Sequence, residues 1–188
     1  MPLDKSLSLQ PEATDTWKAT LGRGDVVRFW FPLANHQSDD TGPKRRPCLV
    51  LDVFTCGQVQ FAKIAYGTSA DTRANRGLEI RINDPDAIKA AGLDRPSRFV
   101  CARTVIVSLN HPAFEPVSET GTPVIGRLDD RLMVRMNAVR ARLDAEADMA
   151  ANARDERRKE QRRWQREGDG FRKRNRALRA ATPTTTKG

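Results

Sequence analysis

The stretch from Cys48 to Phe54 is almost unbrokenly apolar, and it reads as a β-strand buried on both of its faces. Such a strand needs partners in a sheet and cover on either side. The surrounding sequence supplies them. Val26 to Phe31, rich in β-branched and aromatic residues and closed by Pro32, is a strand before it. After the turn Thr55-Cys56-Gly57-Gln58, Val59 to Tyr66 returns as a third strand, making a hairpin. Leu78, Ile80 and Ile82 alternate with Glu79 and Arg81, the pattern of a half-buried strand with its charges on the solvent face. Arg98 to Val107 adds another strand, and Val124-Ile125 a short edge strand. Trp30 and Phe61, inside β patterns, read as core residues.

Two helices punctuate these strands. Asp84-Pro85 has the N-cap and first-turn proline of a short helix, which Gly92 ends in the left-handed cap position with Leu93 folding back on Ile88. Asp129 caps a later helix, with Leu128 stapled to Met133 and an apolar stripe of Leu132, Met136, Val139 and Leu143. The expected fold is mainly β with helices: a small, strongly bent β-barrel over residues 23–143, with one inserted and one C-terminal helix. Residues 1–22 read as a loose arm with one helical turn around Ala13 to Lys18, and residues 144–188 as a charged helical extension. A break is expected at Gly168-Asp169-Gly170, with a disordered Thr/Pro/Gly tail at the end.

Charge narrows the function. The chain carries a formal net charge of +9, and residues 141–188 alone contribute +6 of it. That excess favours a polyanionic partner, nucleic acid first. Cys48, Cys56 and Cys101 have no CxxC spacing, and only two histidines are present. They read as reduced, buried thiols, with no metal and no cofactor expected. No apolar run is long enough to span a membrane and no secretory signal layout opens the sequence, so a cytoplasmic protein is expected.

The chemistry concentrates at Pro43-Lys44-Arg45-Arg46-Pro47, where a long polar loop from Leu33 to Arg46 meets the Cys48 strand. Proline biases Arg46 away from the helical region and stiffens its backbone. Its guanidinium presents a planar fork that grips phosphate oxygens in pairs. Lys44 and Arg45 read as further phosphate contacts, or equally as a solvated turn.

The order of motifs resembles the PemK/MazF family of toxins from type II toxin–antitoxin systems. Gly24-Asp25-Val26-Val27 running to Phe31-Pro32 is similar to the family's opening strand, and Arg46-Pro47 followed by Cys48-Leu49-Val50-Leu51 to its second. Thr68-Ser69 matches the hydroxyl pair after the third, and Gly92-Leu93-Asp94 with Ser97 a later segment of one branch. The resemblance covers about Gly22 to Leu143 and implies an SH3-like barrel, usually a homodimer, held silent by a cognate antitoxin and cleaving single-stranded RNA without a metal. It implies a catalytic set of Arg46, Thr68 and Ser69, with His36 in the loop where some members carry a histidine and Arg103 as an RNA contact on the strand where some place an arginine and an aspartate. Lys44, Arg45, Arg73 and Arg76 read from their charge as further RNA contacts, or equally as solvated loop residues. A guanidinium holds its proton too tightly to be a good base, so Arg46 is assigned charge stabilisation. The sequence departs from the family at Cys101-Ala102-Arg103-Thr104, where no carboxylate accompanies the arginine. That departure keeps open a non-catalytic nucleic-acid-binding module of the same fold. The extension, with Trp164 and Phe171, reads as a solvated charged helix, as a sequence-independent phosphate contact, or as an anchor for an acidic partner.

Overall fold

The structure is a computed structural model, and it describes residues 16–32 and 44–181. Among the described residues six strands and three helices follow in the order α1 (Thr16–Thr20), β1 (Asp25–Phe31), β2 (Lys44–Cys56), β3 (Val59–Thr68), β4 (Glu79–Ile82), α2 (Pro85–Ala90), β5 (Ser97–Ser108), β6 (Val124–Arg127) and α3 (Asp130–Ala181). The strands form one antiparallel sheet in the order β4-β5-β3-β2-β1-β6, curled into a half-barrel with β4 and β6 at its edges. Register shifts at Val26/Val27, Val50/Asp52 and Ala65/Tyr66 are the bulges that let long strands bend.

The near-continuous apolar run of β2 follows from a core on each side of the sheet. Leu49 and Leu51 join Ile80, Phe99, Leu132, Met136 and Val139 on the side of α2 and the start of α3. Cys48 and Val50 join Trp17, Phe29, Phe31, Ile64 and Phe114 on the other. Each fully buried leucine contributes about 1.5–3 kcal/mol. Trp17 packs on Phe114 with ring centroids 5.2 Å apart, so the end of the expected loose arm is anchored by an aromatic side chain that core burial favours.

Helix α2 starts as its sequence predicts, with Asp84 accepting from the Asp86 and Ala87 amides at 3.1 Å. Gly92 follows it at φ 65°, and a Cβ there would overlap the Ile125 carbonyl. Only glycine therefore lets the end of α2 lie directly on β6. Asp129 caps α3 through the Leu132 amide at 2.7 Å.

Several expectations are corrected. The basic triplet is not loop: β2 begins at Lys44, because Lys44, Arg45 and Arg46 pair with Phe31, Trp30 and Phe29 of β1. Trp30 is not core but 42% exposed, since the two-residue period that buries Phe29 and Phe31 turns it to the other face. Phe61 is half-buried, stacked on exposed Phe54. Glu79 is buried rather than solvent-facing, held by Arg98. Cys56 lies exposed at the hairpin end, whereas Cys48 and Cys101 are buried.

Residues 1–143 and 144–188 are two compact units. In the second, α3 runs unbroken through Gly168-Asp169-Gly170. Each glycine costs a helix interior about 1 kcal/mol relative to alanine, too little to stop a helix flanked on both sides by good helix formers. The expected disordered tail from Thr182 onward lies outside the described residues. Among the described residues no helix is long and apolar enough to cross a membrane.

Candidate functional site

The C-terminal end of β3 and the N-terminal end of β2 lie side by side, because Cys48 pairs with Tyr66. Gly67 makes the approach possible: a Cβ there would overlap the Pro47 carbonyl and stand 2.8 Å from Phe99. Arg46, Thr68 and Ser69 thereby line one cleft of about 290 Å³, together with Arg28 and Arg45. Its opposite wall is the segment after α2, with Asp94, Arg95 and Ser97, held in place by the contact of Gly92 with Ile125.

Four guanidiniums and one carboxylate line this cleft, so its field favours an anion. Arg45 is tethered, donating to Glu115 Oε1 at 3.0 Å. Arg46 is positioned differently. Its guanidinium lies 5.2 Å from the centroid of the Tyr66 ring, a cation–π arrangement. Its Nε is buried with no hydrogen-bond partner. A buried donor left without an acceptor is costly. Thr68 is buried, and its Oγ1 accepts the Ala70 amide at 3.1 Å, which leaves the hydroxyl proton available to donate. Ser97 Oγ donates to Arg95 O at 3.1 Å and helps to hold that wall. A second recess of about 210 Å³ shares Thr68, Ser69 and Ser97 with the first and adds Arg81 and Asn83. The hydroxyl residues thus form the ridge between two adjoining recesses.

The segment after Thr68 is fixed by Arg98, which is 7% exposed. Its Nε donates to Ala70 O at 2.8 Å, its Nη1 to Ala74 O at 3.1 Å and Glu79 Oε2 at 2.5 Å, and its Nη2 to Thr72 Oγ1. Burial alone would raise the Glu79 carboxyl's pKa, but hydrogen bonds from Arg98 and Arg81 outweigh it and hold the group below its ordinary 4.5. The pair is a structural clamp behind the ridge.

The other candidates do not line the cleft. Arg103 faces the Tyr66 ring that Arg46 also faces, its guanidinium 4.5 Å from that centroid and 5.9 Å from that of Phe31. Lys44 is exposed at the start of β2, and Arg73 and Arg76 are exposed in the loop before β4, none lining the cleft. His36 lies outside the described residues. Burial pushes the Cys48 and Cys101 thiols up to about 12, so neither is a ready nucleophile. Among the described residues no group of three or more His, Cys, Asp or Glu side chains could hold a metal ion.

Arg28, Asp94, Arg95 and Arg98 are additional to the sequence-derived set. Arg28 carried a legible signal, a lone charge inside an apolar strand; Asp94 and Arg95 reach the cleft only through the packing of α2 on β6. No family model matches the chain, and no curated protein matches it.

Proposed function

We propose that this chain is an endoribonuclease of the PemK/MazF toxin type, an SH3-like barrel cutting single-stranded RNA without a metal. What supports the reading is the convergence of Arg46, Thr68 and Ser69, from two separate strands, on one arginine-lined cleft. RNA carries its own nucleophile in the 2′-hydroxyl beside each phosphate, so the protein need supply only orientation, charge stabilisation and proton transfer. The 2′-oxygen forms a bond to the adjacent phosphorus as the bond from phosphorus to the 5′-oxygen breaks. The products are a 2′,3′-cyclic phosphate and a 5′-hydroxyl. The Arg46 fork and the Thr68 hydroxyl meet the charge that develops on the phosphoryl oxygens. Asp94, the carboxylate lining the cleft, takes the 2′-hydroxyl proton in this reading, and the departing 5′-oxygen takes a proton from solvent water to become the 5′-hydroxyl. A cognate antitoxin covering the cleft and a homodimer belong to the same proposal.

A second reading is favoured by Arg103, which lies over the Tyr66 ring rather than in the lining of the cleft and, among the described residues, forms no ion pair. In that case the cleft binds RNA phosphate without turning it over. The two readings separate on incubation of the full chain with single-stranded RNA in EDTA, comparing wild type, Arg46→Ala and Asp94→Asn and mapping the ends. The nuclease reading expects cyclic-phosphate ends from wild type and a loss of about 10²–10³ in rate for Arg46→Ala. Ends carrying a 5′-phosphate reject it, and tight binding without cleavage moves the conclusion to the binding module.

A further inference from the structure

Because α3 continues through Gly168-Asp169-Gly170, side chains that a broken helix would scatter stand on one line. Trp164, Phe171 and Leu178 are spaced by seven residues, and seven residues fall only about 20° short of two full turns, so the three lie within about 40° of one another. They are 73%, 60% and 69% exposed. Between Ala150 and Ala181 they are the only apolar side chains larger than alanine. A single apolar line at a heptad period, on a helix otherwise charged, is one of the two lines that make up the seam one helix offers to another.

We propose that this line is a docking seam for an acidic amphipathic helix of another protein. The flanks set the sign of the partner. With the line at heptad position d, Arg172 and Arg179 occupy e, and Arg174 and Glu167 occupy g; within the helix Glu167 is paired with Arg163 at 3.0 Å and Arg172 with Asp169 at 3.7 Å, both exposed pairs. No acidic residue occurs from Gly170 to Ala181, where five basic ones do. Basic e and g positions select a partner with glutamate or aspartate opposite them. A second copy of this chain fits poorly: in a parallel pair Arg174 would face Arg179, and segments with eight basic and two acidic residues over 161–181 would repel. RNA is a weaker fit to the seam itself, since Leu178 offers no ring on which a base could stack. Asn175 takes the a position between Phe171 and Leu178, a polar side chain of the kind that fixes register with one particular partner.

The test uses the full chain and two labelled helical peptides with leucine at a and d, one carrying glutamate and the other lysine at e and g. Fluorescence anisotropy should show binding of the acidic peptide in preference to the basic one. Trp164→Ala with Phe171→Ala should weaken that binding at least about tenfold, and Arg172→Glu with Arg174→Glu should reverse the preference. Circular dichroism of each variant keeps a folding defect from being taken for lost docking. Equal binding of the two peptides, or acidic-peptide binding that the Trp164/Phe171 variant leaves intact, overturns the proposal. So does sedimentation showing wild-type self-association that the same variant abolishes, or loss of RNA affinity in that variant with peptide binding unchanged. None of these readouts depends on whether the barrel cleaves RNA.

Discussion

Replacing Arg98 by methionine keeps most of the aliphatic volume and removes a guanidinium that makes four hydrogen bonds behind the cleft. The Glu79 side chain, 4% exposed, is left with Arg81 Nε at 2.6 Å as its ion-pair partner. Breaking a buried pair by removing one partner costs about 3–5 kcal/mol, and the surviving Arg81 contact places this case at the lower end, about 3 kcal/mol. With a urea slope of about 2 kcal/mol per molar, the unfolding midpoint should fall by about 1.5 M. The pH dependence has a defined sign. The folded Glu79 pKa is depressed, so its contribution is present above the unfolded value and is lost as pH falls through the folded one. Without Arg98, burial acts on Glu79 with less opposition, and the carboxyl protonates at a higher pH. The gap between wild type and variant should therefore narrow in acid, where a protonated Glu79 no longer needs the guanidinium. Urea titrations across the acidic range measure both effects. A loss below about 1 kcal/mol at neutral pH, or a gap independent of pH, would refute the clamp.

Three further outcomes follow from the same geometry. Gly67→Ala would drive a methyl into the Pro47 carbonyl and the Phe99 ring, and should cost about 1–3 kcal/mol in urea while weakening RNA binding, because β2 and β3 part at the cleft. Among the cysteines, only exposed Cys56 should alkylate quickly at neutral pH, with Cys48 and Cys101 reacting on unfolding; mass spectrometry counts the labels, and prompt labelling of Cys48 in the folded chain contradicts its burial. Trp30→Ala should leave stability within about 1 kcal/mol, since the ring is exposed, yet lose about 1–3 kcal/mol of single-stranded RNA affinity if a base stacks there. A stability loss without an affinity change would return Trp30 to a packing role.

The elements visible in the sequence were those written in local patterns. The Asp84-Pro85 to Gly92 helix, the stripe from Leu132 to Val139 and the two-sided burial of Cys48 to Leu51 each rest on residues a few positions apart. What stayed hidden depended on partners far along the chain. Lys44 to Arg46 look like loop because basic residues at a proline resemble a turn, yet the backbone groups of Phe29 to Phe31 draw them into the sheet. Glu79 looks solvent-facing by alternation, and only Arg98, nineteen residues on, explains its burial. Trp30 follows the period of its strand correctly; its exposure reflects that the core on its face takes in Val26 of β1 but does not reach Trp30.

The cleft shows the same division. Arg46, Thr68 and Ser69 were singled out as residue types, but nothing local says that they meet. They meet because Cys48 pairs with Tyr66 and because Gly67 admits the Pro47 carbonyl. A one-residue slip in that pairing would turn Thr68 to the opposite face and take its hydroxyl out of the cleft that Arg46 lines. The bulge at Val50/Asp52 lies between this end and the hairpin turn, so the turn alone does not set the register at the cleft. It is held instead by the two cores, which bury Leu49 and Leu51 on one side and Cys48 and Val50 on the other. A one-residue slip would exchange those faces, so the packing that stabilises the half-barrel is also what keeps the guanidinium and the hydroxyl in one cleft.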